Sequence, residues 1–185
     1  MTIRVSGLGR RMAVLMTAML VTACSSGDDG GSATGGGGGS STFTPGTKPA
    51  DICALLTLAE VQTVLPTATA GVEEPTGDNT DLGFWADICK YDAGNQSLEL
   101  VVFVALTEAG LQGIKLAAAS GDVNTPVSGV GTEAHHWEDT ASGTGGLWAL
   151  DSPYSVDITN YFPPTQPTAD QMKPLVSKVL GELQQ

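Results

Sequence analysis

The sequence predicts an α+β domain whose sheet is mostly antiparallel, with about six strands, and has helices packed on one face, in the order αβββαβββα. Three observations carry that prediction. Residues 98–106 (LELVVFVAL) put Leu98, Leu100, Val102, Val104 and Leu106 on one side of a strand and Val101 and Phe103 on the other. Tyr154, Val156 and Ile158 alternate with Ser155, Asp157 and Thr159, the pattern of an antiparallel strand with one wet face. Met172, Leu175, Val176, Val179, Leu180 and Leu183 recur at helical intervals and form a single apolar stripe.

The elements follow in order from residue 51. Residues 57–65 read as a short helix opened by Thr57 and Glu60 at capping-box spacing, with Leu58, Val61, Val64 and Leu65 on one side and Pro66 as its stop. Residues 67–72 are expected as a first strand, 73–83 as a turn-rich loop and 86–91 as a second strand. The turn Asp92-Ala93-Gly94-Asn95 leads into the strand 98–106, expected to be central and covered on much of both sides. A second helix over 107–119 is weakened by Gly110 and Gly113. Residues 122–131 read as loop, followed by strands at 132–138, 146–151 and 154–161, which Phe162-Pro163-Pro164 ends. Thr168 and Gln171 repeat the capping-box spacing ahead of the last helix, and Pro174 removes one backbone donor near its start.

The first 50 residues read as an address and a leash. Arg4, Arg10 and Arg11 precede the uncharged apolar run 12–21, which is too short to span about 30 Å of hydrocarbon and long enough for a signal-peptide core. Val21-Thr22-Ala23-Cys24 resembles the lipobox of bacterial lipoproteins, with Val21 where Leu is usual. That resemblance implies cleavage before Cys24 and a diacylglycerol thioether on its sulfur, with fatty chains such as palmitate holding the product on the membrane. The segment 24–50 holds Gly30-Gly31 and the run 35–39 among Ser, Thr, Asp and Pro, too little apolar surface to order itself. As a Gly/Ser tether of this length it would reach about 28 Å. The expected organisation is therefore signal peptide 1–23, tether 24–50 and one folded domain 51–185.

Charge narrows the partners. The 185-residue chain has 20 acidic and 8 basic residues, a formal net charge of −12. All three arginines lie in the signal segment, so the mature chain keeps only five lysines against the same 20 acids. A chain without the bidentate guanidinium fork and with this acidic field is a poor ligand for nucleic acid, nucleotides or acidic headgroups.

Two cysteines remain after Cys24. Cys53 and Cys89 read as a disulfide in an oxidising compartment, stabilising by about 4 kcal/mol in the chain-entropy model. A metal pair would need further ligands nearby, and a catalytic thiol would need a histidine in reach.

Asp51-Ile52-Cys53-Ala54-Leu55-Leu56-Thr57, Cys89-Lys90-Tyr91 and Gly129-Val130-Gly131-Thr132-Glu133-Ala134 follow one another behind the lipobox and tether. In this the chain resembles a group of small actinobacterial lipoproteins of unknown function. The resemblance implies an extracytoplasmic location and supports pairing of Cys53 with Cys89. It implies no reaction.

Motifs for chemistry are sparse. The G-x-G-x-x-A of residues 129–134 follows a proline-bearing loop and precedes a strand, the wrong setting for a dinucleotide fingerprint, so no cofactor is expected. His135-His136-Trp137-Glu138-Asp139 has metal-ligand residue types, yet neighbours on a strand face opposite ways, so no metal site is expected. Asp78, Asn79, Asp81 and Asp87 lack EF-hand spacing and read as a solvated turn. One histidine is expected packed under Trp137 or on the sheet and the other in solvent.

No nucleophile elbow, H-E-x-x-H or S-x-x-K occurs. The leading expectation is a non-enzymatic, membrane-anchored binding module for a small ligand or an envelope protein. Trp85, Trp137, Trp148 and Tyr161 are its candidate ligand-binding residues, if gathered in one cleft. An extracytoplasmic hydrolase using His135 or His136, and an accessory subunit of an envelope complex, are the alternatives.

Overall fold

The computed structural model describes residues 43–185 apart from 75, 77–79, 119–121, 162 and 164. The signal segment, Cys24 and the tether up to residue 42, together with Asp78 and Asn79, lie outside the described residues.

A 3-10 turn at Cys53–Leu55 precedes α1 (Leu58–Val61) and β1 (Val72–Glu74). A second 3-10 turn, Thr80–Leu82, leads to β2 (Phe84–Ala93), β3 (Gln96–Ala105) and α2 (Glu108–Ala118). β4 (Val123–Pro126), β5 (Glu133–Asp139), β6 (Thr144–Asp151), β7 (Tyr154–Tyr161) and α3 (Ala169–Leu183) complete the chain. The α+β class expected from the sequence is what forms, with seven strands where about six were expected from alternation alone. They lie in the order β1-β2-β3-β7-β6-β5-β4, antiparallel throughout.

The extra strand is β4, which falls in the segment read as loop. All four of its residues are exposed at the sheet edge, so no buried alternation marked it. β1 begins at Val72, where the expected first strand ends, and is also an exposed edge. β7 is the middle strand and is covered on both faces. Its polar Ser155, Thr159 and Asn160 are buried, so an alternation that suggested a wet face marks buried polar groups instead.

Helices cover both faces, which corrects the expectation of one. Leu98, Leu100, Val102 and Val104 of β3 stand opposite Asn160, Ile158, Val156 and Tyr154 of β7. Apart from Asn160 these side chains pack with Val61 of α1 and Met172, Leu175, Val176, Val179 and Leu180 of α3. Ile114 of α2 packs on the opposite face, with Ala105, Trp137, Trp148 and Leu150. The stripe on α2 is short, because its polar residues and glycines interrupt it, and nothing in a one-dimensional pattern tells which face a helix takes.

Both capping boxes form. Thr57 N–H donates to Glu60 Oε2 at 2.8 Å while Glu60 N–H donates to Thr57 Oγ1 at 3.3 Å. Thr168 N–H donates to Gln171 Oε1 at 2.8 Å and Gln171 N–H to Thr168 Oγ1 at 3.4 Å. α1 is only four residues, shorter than the helix read over 57–65, and continues as turns to Leu65. α3 runs through Pro174, its sixth residue, with the loss of the one backbone bond that a donor there would give to the Asp170 carbonyl.

Cys53 and Cys89 are joined, with an S–S distance of 1.99 Å and Cα atoms 5.2 Å apart. The bond ties the 3-10 turn to β2. The packed chain also begins earlier than Asp51, within the segment read as tether. Phe43 packs against the α2-side cluster, Gly46 N–H donates to Ala105 O at 3.0 Å and Thr47 N–H to the Tyr154 hydroxyl at 3.1 Å. Lys48 Nζ sits 4.5 Å above the Trp85 ring centroid.

Candidate functional site

Strand alternation sorts the candidate residues. Glu133, His135 and Trp137 of β5 stand opposite Leu150, Trp148 and Gly146 of β6, all on the α2 face. Trp148 in turn stands opposite Asp157 of β7. His136 points to the other face, where its Nε2–H donates to Pro167 O at 3.2 Å. The opposite orientation of the two imidazoles is as expected, and one of them, His135, packs on the sheet, but the other is not in solvent. His135 stacks on Trp148, with centroids 5.7 Å apart and planes at 22°, and His136 keeps only 15% of its side chain exposed.

The four aromatic candidates do not share one cleft. Trp85 stands opposite Val104 on the α3 face, under Lys48. Trp137 and Trp148 are buried together on the α2 face. Tyr161 is on that same face at the far end of β7, where its hydroxyl bonds the Glu99 carboxylate.

α2 ends at Ala118, and its last turn closes a recess with the sheet edge. Lys115, Ala118, Asn124, Glu133, His135 and Trp148 line about 120 Å³ of space. Inside it, His135 Nε2 lies 3.3 Å from Glu133 Oε1, and Lys115 Nζ 3.4 Å from Glu133 Oε2. The hydrogen bond from His135 and then the Lys115 ammonium hold the Glu133 carboxyl below the usual range, so it is ionised and can only accept. Nε2 therefore carries the proton. His135 Nδ1 is buried and has no partner.

A second set of groups lies beside the recess. The Trp137 indole reaches over Gly146 to donate to Asp157 Oδ1 at 3.1 Å. Gly146 has no side chain to obstruct it; a Cβ there would come 3.1 Å from Trp137 Nε1. Burial pushes the Asp157 carboxyl up to about 6, against the opposing hydrogen bonds from Trp137 and Thr159. Burial also raises Glu99, against the bond from Tyr161.

Two open grooves flank the arm at residues 43–49. One of about 610 Å³ runs between Lys48, Pro153 and Leu183, and one of about 360 Å³ between Phe43, Leu111 and Pro153. Neither contains a histidine or cysteine. Among the described residues no group of three or more His, Cys, Asp or Glu is placed to hold a metal ion. No helix among them is long and apolar enough to cross a membrane.

Sequence reasoning missed Lys115 and Glu133 as partners of His135. The period-2 rule applied to β5 puts Glu133 on the face of His135; Lys115 arrives from a helix whose docking no local pattern encodes. Compared with protein-family models, curated proteins and solved structures, the chain matches none.

Proposed function

We propose that the protein is a lipid-anchored module on the extracytoplasmic face of the cell membrane, which binds a small ligand or an envelope partner without turning it over. The observation that carries the binding role is the recess beside α2. It offers a cation, a carboxylate, an amide and an imidazole over an indole, and none of its six lining residues bears a hydroxyl or thiol nucleophile. The anchoring role is supported by the basic start, the apolar run 12–21 and Val21-Thr22-Ala23-Cys24. A disulfide between Cys53 and Cys89 is in keeping with an oxidising compartment. The resemblance to small actinobacterial lipoproteins agrees with it.

Growth with labelled palmitate tests the anchor. Label is expected on the wild-type chain and not on Cys24→Ala, which should leave the membrane fraction. A wild-type product that is unlabelled and still carries its initiator methionine would overturn the anchor. The second reading, a hydrolase, is favoured by one observation: His135 lies within hydrogen-bond reach of a carboxylate in a recess. It requires a hydrolytic activity that His135→Gln removes, and absence of turnover across ester, amide and glycoside substrates would dismiss it.

A further inference from the structure

We draw no further inference here: the strongest candidate, the open groove of about 610 Å³ where the arm at residues 43–49 meets the β6–β7 turn and the end of α3, is walled by Pro45, Pro49, Pro153, Tyr154 and Leu183, and nothing in the structure shows what covers it.

Discussion

Trp137 and Asp157 are joined across an intervening strand: the indole of β5 passes over Gly146 of β6 and gives its only proton to a carboxylate on β7 at 3.1 Å. The bond fills the space left by a glycine and anchors a charge that would otherwise sit poorly solvated on the middle strand.

Asp157 makes stability depend on pH in an unusual direction. Its folded pKa of about 6 lies above the ordinary 3.8, so the folded state holds a proton that the unfolded state has released. Its contribution is therefore most favourable near pH 4 and is lost as pH rises through about 6. Asp157→Asn keeps an acceptor for Trp137 and removes the titration. Relative to wild type it should be about 1–3 kcal/mol more stable at pH 7.5 and near neutral at pH 4, measured by urea unfolding at both values. An equal effect at the two pH values would contradict the assignment.

Trp137→Phe removes the donor and leaves the ring. We expect a loss of about 1–2 kcal/mol at pH 7.5, where Asp157 is charged, and a smaller loss at pH 4.5. In the Asp157→Asn background the loss at pH 7.5 should shrink, because the charged acceptor is gone. Additive effects in that double-mutant cycle would mean that the pair does not act through this bond.

Two glycines in one helix should respond oppositely to alanine. Gly110 lies against the Gly83 carbonyl so closely that a Cβ would overlap it, whereas a Cβ on Gly113 meets nothing within 4 Å. Gly113→Ala should stabilise by up to about 1 kcal/mol, as helix propensity dictates. Gly110→Ala should destabilise by about 1–3 kcal/mol, because the helix must lift from the turn that positions it. Thermal unfolding of the two variants decides this; stabilisation by both would deny the close approach.

The disulfide closes a separation of 36 residues between the first turn and a sheet strand. Replacing both cysteines by serine should cost about 2–4 kcal/mol, read as a lower urea midpoint. A midpoint unchanged under oxidising conditions would mean that the bond does not form in the protein.

Capping boxes, the α3 stripe and the alternation of β3 were all legible, because each is a local pattern whose period matches its element. β4 was not, since an edge strand buries nothing and leaves no alternation. The placement of β7 was misread: Ser155 and Thr159 look like solvent residues, but a middle strand buries both of its faces. The site was half legible. His135 and Trp148 stood out by type, while the recess exists only because α2 crosses to the opposite face and brings Lys115 down to Glu133. Trp85, chosen for the same chemistry, is separated from them by the thickness of the sheet.

The strand order has a kinetic meaning. Because β7 lies between β3 and β6, the two meanders on either side have no backbone bridge to one another until the penultimate element is delivered. A polypeptide emerging amino end first from a ribosome or a secretion channel thus carries a pair of open borders for most of its passage, vulnerable to any stray strand, and becomes one cooperative body only when residues 154–161 slide between them.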